Sequence, residues 1–175
     1  MIRSMRSMQV RTGANGILPG TAVGTQAAFI GIGANTTRMS ANVTSVAANT
    51  VYLLTVAVGN PIDHNPGDVF LRLTINGSDL ATTTIPPTSI PEGTFTDFSV
   101  ALGPFAPNDS KIGGTLGIQL GMSDPTAIPG LIADFDNVRL TATVPEPAGA
   151  LLVALCFAIR ARQPRRLLYQ LRRVS

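Results

Sequence analysis

With 175 residues, 45% of them apolar and only 13% charged, the chain has the length of about one domain and is too hydrophobic to be disordered. Its 17 glycines, 13 prolines, 5% aromatics and absent Trp suit turn-rich β structure better than a helical bundle. The net charge of +3 arises at the ends: residues 1–11 and 148–175 carry nine Arg and no acid, while residues 12–147 carry four cations against all ten acids. A body with that acidic balance and no basic stripe has little with which to displace counterions from phosphates, which excludes nucleic acid as its partner.

In chain order, residues 1–16 read as an N-terminal extension. Residues 1–11 have a basic start but no apolar stretch of signal-peptide length behind it, so a truncated or mis-started N-terminus is expected. From residue 26 onward short strand-like runs alternate with turn residues, and no window before Pro147 sustains a helical apolar stripe. Strands are predicted at 26–32, 38–43, 50–58, 69–75, 79–84, 94–102, 115–120 and 131–144. The clearest is 69–75, where Val69, Leu71, Leu73 and Ile75 alternate with Phe70, Arg72 and Thr74. Asn76-Gly77 follows, a dipeptide suited to the positive φ values of a tight hairpin, with 79–84 returning antiparallel. The run 50–58 is apolar on both faces, as in a strand covered on two sides, and places Tyr52 in the interior. In the last strand Phe135 cannot share a face with Val138, Leu140 and Ala142 under strict alternation, so a bulge is expected near Asp136-Asn137. The predicted fold class is therefore all-β, an antiparallel β-sandwich of jelly-roll type over 17–143, followed by a short C-terminal hydrophobic helix.

Residues with chemistry are sparse. Cys156 stands alone inside the apolar run 148–159, which excludes an intramolecular disulfide and a Cys-based zinc site and reads as a small hydrophobe. With one His, no nucleophile elbow and no phosphate loop, neither a Cys-His pair nor a Ser triad is framed. Asp63, His64 and Asp68 share a loop where turn formation explains them as well as a metal does. Asp97, Asp109 and Asp124 are acids that could pair as glycosidase carboxylates, although solvated loop acids are the commoner case. Phe70, Phe95, Phe98 and Phe135 read as core, leaving Phe105, between Pro104 and Pro107, as the one loop aromatic to present to a ligand. On these grounds an enzyme is not expected.

The composition changes after Val144: Val144-Pro145-Glu146-Pro147, the apolar run 148–159, then an Arg-rich end with Arg160, Arg162, Arg165 and Arg166. Prolines leave the first part extended and accessible, the second can form a helix in lipid, and the arginines would hold its end at the cytoplasmic face. Twelve helical residues rise only about 18 Å against roughly 30 Å of hydrocarbon, so the span is short unless Arg160 and Arg162 snorkel. The alternative is a core helix over 148–159 with a second amphipathic one after it. The three-part arrangement resembles the PEP-CTERM sorting signal. That resemblance implies export, transient retention in the inner membrane through the helix 148–159, and recognition near Pro145-Glu146-Pro147 by an exosortase-type membrane peptidase. It also implies a final location at the cell surface or in the extracellular matrix.

The segments at 18–21, 26–29, 48–56 and 134–140 resemble those of galactose-binding-like jelly-roll modules. The resemblance implies a binding module associated with glycan or exopolysaccharide and, near the last strand, a structural calcium for which Asp136 is the matching ligand. It further implies an N-terminal strand, which the residues before 17 do not evidently supply. The expectation is an exported, non-catalytic surface module. A structural matrix protein without a specific ligand and a carbohydrate-active enzyme are the alternatives.

Overall fold

Val69, Leu71, Leu73 and Ile75 lie on one side of an extended chain, and all four are buried in the core. The computed structural model describes residues 9–12, 26–31, 38–62, 64, 66–123 and 131–145. In it the chain forms nine strands: β1 (Gln9–Thr12), β2 (Gln26–Gly31), β3 (Arg38–Ser45), β4 (Val51–Asn60), β5 (Asp68–Ile75), β6 (Ser78–Ile85), β7 (Thr94–Leu102), β8 (Thr115–Ser123) and β9 (Ile132–Thr143). They make two antiparallel sheets, one in the order β1-β2-β9-β4-β7 and the other β3-β8-β5-β6. The chain changes sheet at every connection except β1–β2 and β5–β6. The result is an antiparallel β-sandwich.

Its core is the layer between the sheets. β4 turns Tyr52, Leu54, Val56 and Val58 inward, to join the β5 aliphatics, Leu116, Leu120 and Met122 of β8, and Ala133 and Phe135 of β9. Removing each such side chain from water stabilises the fold by about 1.5–3 kcal/mol. Two inward polar side chains of β4 are hydrogen-bonded: the Tyr52 hydroxyl accepts the Ala47 N–H at 2.7 Å and donates to the Ser45 carbonyl at 3.4 Å, and Asn60 Nδ2 donates to the Ile90 carbonyl at 2.9 Å. The Tyr52 pairing offsets the loss of water at the phenol.

Two local devices set the register. Asn76 and Gly77 take φ of 52° and 82°, the paired left-handed conformation that matches the twist of a two-residue hairpin between β5 and β6. Asn76 also exchanges two hydrogen bonds with Thr115, its N–H donating to the carbonyl at 2.9 Å and its Oδ1 accepting the N–H at 2.8 Å, which fixes the start of β8. The second device is a bulge in β9. Opposite β4 the pairing slips between Thr55/Arg139 and Ala57/Asp136, with Asn137 at φ 48°. The extra residue lets Ala133 and Phe135, and beyond it Leu140, all turn inward. Asp134, Asp136 and Arg139 consequently share the opposite face.

Two features differ from the sequence expectation. The extension 1–16 contains β1, which pairs with β2, so an N-terminal strand does add to the five-stranded sheet. It is only four residues long and is followed by the Gly-containing stretch 13–25, so it carries no visible alternation. The expected apolar helix at 148–159 lies outside the described residues, among which no helix is long and apolar enough to cross a membrane.

The two devices yield a pair of stability predictions. A Cβ on Gly77 would meet nothing within 4 Å, so Gly77→Ala is expected to cost only the left-handed backbone penalty, about 1 kcal/mol or about 2–4 °C in Tm. At the bulge, Asn137→Val should cost about 1–2 kcal/mol while Asn137→Gly stays within about 0.5 kcal/mol of wild type in urea unfolding. Equal losses for both would show that the left-handed conformation is not what matters there.

Candidate functional site

Because β4 turns Tyr52, Leu54, Val56 and Val58 inward, Leu53, Thr55, Ala57 and Gly59 line the outer face of the five-stranded sheet. In register across that sheet, Phe29 of β2 stands opposite Asp134 of β9, Asp134 opposite Gly59 of β4, and Gly59 opposite Phe95 of β7. Four strands thus contribute one transverse row: aromatic, acid, glycine, aromatic. Gly59 makes this packing possible. A Cβ there would stand 2.7 Å from Cε1 of Phe95 and 3.1 Å from Cβ of Asp134, so only a glycine lets the Phe95 ring lie over the backbone against the acid.

Asp134 is the only fully buried charged residue among the described ones, at 0% exposure, and both carboxylate oxygens are shielded from solvent. Its neighbours Ala133 and Phe135 belong to the core, so the carboxyl group points away from the core and is nevertheless covered. A carboxyl group sheltered from water beside aromatic rings is suited to moving a proton and to tolerating positive charge on a ligand, since ring faces attract cations. One rung further along, Asp136 and Asp97 flank Ala57.

A cavity of about 120 Å³ opens between the two sheets. Its lining includes Ala28, Met39, Leu120, Phe135 and Val138 and is almost wholly apolar. Phe135 reaches it and Asp134 points the other way, so the cavity can hold an apolar group but has no acid to act on one.

The sequence-predicted site residues are scattered. Phe105 is a core residue, not a ligand platform: its ring is buried in the main cluster, and its carbonyl accepts the Asn49 N–H at 2.8 Å. The flanking prolines place its backbone in a loop, but burial of a large ring turns that loop back onto the sandwich. Asp136 is half-buried, and its Oδ1 accepts the neighbouring Asn137 N–H at 2.6 Å. Among the described residues no group of three His, Cys, Asp or Glu converges at Asp136 or elsewhere. Asp97 is exposed and pairs with Arg139 at 2.6 Å. Asp109 sits in a turn where the Lys111 backbone N–H, with further help from the Lys111 ammonium, holds its carboxyl below the usual range. Asp97 and Asp109 therefore do not form a glycosidase pair, and Asp124 lies outside the described residues. Val144 and Pro145 are exposed, whereas Glu146, Pro147, Arg160, Arg162, Arg165 and Arg166 lie outside the described residues.

The sequence model of the HpiC1-like family, described as HpiC1 cyclase, matches residues 9–141. The chain belongs to the HpiC1-like family. Solved structures agree. A cyclase from Fischerella sp. TAU is 26% identical with a TM-score of 0.61, over 79% of this chain and 75% of that one. An apo form cyclase from Fischerella sp. matches at 26% identity and TM-score 0.61, over 79% and 73%. The Stig cyclase Fisc from Fischerella sp. TAU, in complex with (3Z)-3-(1-methyl-2-pyrrolidinylidene)-3H-indole, is 25% identical with TM-score 0.61, over 78% and 75%. No curated protein sequence matches the chain.

Membership of this family overturns the functional expectation. The HpiC1-like proteins are cyclases, so the non-catalytic glycan-associated or matrix module is replaced by an enzyme, and the descriptor galactose-binding-like is replaced by cyclase. The sequence reading looks for His, Cys or paired loop acids, whereas the one buried acid among the described residues sits mid-strand. In the sequence Phe95 reads as core, and near the last strand Asp136, not Asp134, stands out. The available signal was an acid inside the apolar run Leu131-Ile132-Ala133-Asp134-Phe135, together with a glycine closing the otherwise apolar run 51–59.

Gly59→Val should displace Phe95 and lower Tm by more than Gly77→Ala does, because the close contact is with a ring and a strand-bound acid rather than with open space. A smaller loss at Gly59 than at Gly77 would show that the row is loosely packed.

Proposed function

We propose that this HpiC1-like protein is a cyclase that closes a ring within a small, largely apolar substrate, with Asp134 as the proton-transferring group. The observation that carries the proposal is the burial of the Asp134 carboxyl on the outer face of the sheet, between Phe29 and Phe95 in one cross-strand row. Intramolecular ring closure changes connectivity without changing mass. What the protein must supply is a folded substrate conformation, a proton at one end of the unsaturated system, and exclusion of water that would trap a cationic intermediate. A buried carboxyl group can donate the proton and take one back, and the flanking rings stabilise positive charge in between. The ligand held by the Fischerella Stig cyclase, an indole joined to a pyrrolidine ring, indicates the substrate class to try first: an indole bearing an unsaturated side chain.

The test is incubation of the purified chain with a panel of alkenyl-substituted indoles, followed by chromatography with mass detection for products of unchanged mass. Asp134→Asn should reduce conversion by about 10²-fold or more while the far-UV spectrum is retained. A fully active Asp134→Asn variant would remove the acid from this role.

The place of action is a separate proposal that rests on residues 144–175: export, with the segment at Pro145-Glu146-Pro147 read by an exosortase-type membrane peptidase. The exposure of Val144 and Pro145 just after β9 supports access to that segment. Mass spectrometry of secreted material should show a chain ending near Pro147; full-length material from a host with a working exosortase would count against it.

A further inference from the structure

The outer face of the five-stranded sheet carries a second feature that the acid row does not use. Arg139 of β9 stands opposite Thr55 of β4, and Asp97 of β7 stands opposite Ala57 of β4. β4 lies between β9 and β7, so the 2.6 Å contact from Arg139 Nη2 to Asp97 Oδ2 has to pass over β4. It crosses diagonally between Thr55 and Ala57. Ala57 is only 2% exposed although it faces away from the core, while the Asp97 and Arg139 side chains above it are 53% and 47% exposed. The bridge therefore has solvent on one side and the small side chain of Ala57 on the other.

We propose that the Arg139–Asp97 bridge delimits the ligand site over Asp134 and sets how far a bound molecule can extend along β4. The proposal rests on the reading of Asp134 as the site's acid. Ala57 is two residues from Gly59 on the same face, so the bridge stands about 7 Å along the strand from the acid row. Beyond it, Thr55 and Ser99 close a hydroxyl pair at 2.9 Å and Leu53 is exposed, which marks the open end of the face. A molecule lying over Gly59 and reaching toward that end meets the Asp97 carboxylate and the guanidinium bonded to it.

Two further ion pairs are of a different kind. Arg72–Asp79 spans the β5–β6 hairpin, and Lys111–Asp109 closes a turn. Arg139–Asp97 joins two strands that are not neighbours, across a third. An exposed pair contributes about 1 kcal/mol or less. That is too little to hold strands already tied by a continuous ladder to β4, and small enough for a ligand to displace. Such a pair acts as a yielding stop rather than a wall. Alanine at position 57 leaves room for it, and a longer side chain there would lift the guanidinium off the strand.

Two measurements test this. The first needs no ligand. In a Cys156→Ser background, Ala57→Cys should react with iodoacetamide slowly, and adding Arg139→Ala should accelerate labelling by about two- to fivefold, the upper figure corresponding to losing a pair of this strength. Thr55→Cys serves as the second reporter if Ala57→Cys does not fold. Equal rates with and without Arg139 overturn the bridge as a cover. The second compares binding of indole with binding of (3Z)-3-(1-methyl-2-pyrrolidinylidene)-3H-indole, the longer molecule held by the Fischerella relative. Arg139→Ala and Asp97→Ala should each change the long-to-short affinity ratio by several-fold in the same direction, and the exchange Arg139→Asp with Asp97→Arg should restore it. An unchanged ratio overturns the proposal. If the ratio changes but Asp134→Asn stays active on alkenyl indoles, the bridge stands and the acid assignment falls. If neither probe binds the wild-type chain, the bridge has no ligand to delimit and the proposal falls.

Discussion

From Val56 to Asn60 β4 is covered on both of its faces, and the rest of the molecule is arranged around that constraint. Inward, Tyr52, Leu54, Val56 and Val58 meet the aliphatic face of β5 and bind the two sheets together. Outward, the same strand places Ala57 and Gly59 where side chains of β7 and β9 have to lie across it. A strand apolar on one side only would leave those outward positions free to be large and polar. Here the outward positions shrink toward the end of the strand, and the space released is taken by the Phe95 ring, the Asp134 carboxyl and the Arg139–Asp97 pair.

The bulge at Asn137 is the second requirement. β9 has to feed the core on both sides of it, with Ala133 and Phe135 before and Leu140 after. Without the extra residue, one of those sets would turn outward and Arg139 would exchange faces with its neighbours. Asn is among the few residues that hold φ near 50° at modest cost, which is why the inserted position is tolerable in an otherwise regular strand. One left-handed residue therefore keeps Asp134, Asp136 and Arg139 on a common face.

A buried acid on the outer face is costly to maintain, because desolvating a carboxyl group is favourable only when its surroundings compensate. Proteins that need stability alone tend to place an apolar residue at such a position, so a buried acid next to two aromatic rings is the feature on which the proposed ring-closing chemistry rests. The apolar cavity between the sheets carries no group that can move a proton.

Much of the fold was legible in the chain itself. Strict alternation at Val69, Leu71, Leu73 and Ile75, the Asn76-Gly77 turn and the conflict of phase between Phe135 and Leu140 depend on interactions within a few residues, and each has its expected counterpart in β5, the hairpin and the bulge. The site was not legible. Phe29, Asp134, Gly59 and Phe95 are separated by tens of residues and become neighbours only because β2, β9, β4 and β7 lie side by side, an order that no local pattern encodes. Phe105 shows the same limit from the other direction: its proline neighbours marked a loop correctly, but only the packing of that loop against the sandwich decided that the ring belongs to the core. The sequence by itself determined which stretches extend, where they turn and which faces are apolar, because steric alternation and backbone preference act locally. The tertiary structure alone decided which acid is buried and what lies beside it, because burial depends on strands far apart in the chain meeting across a sheet.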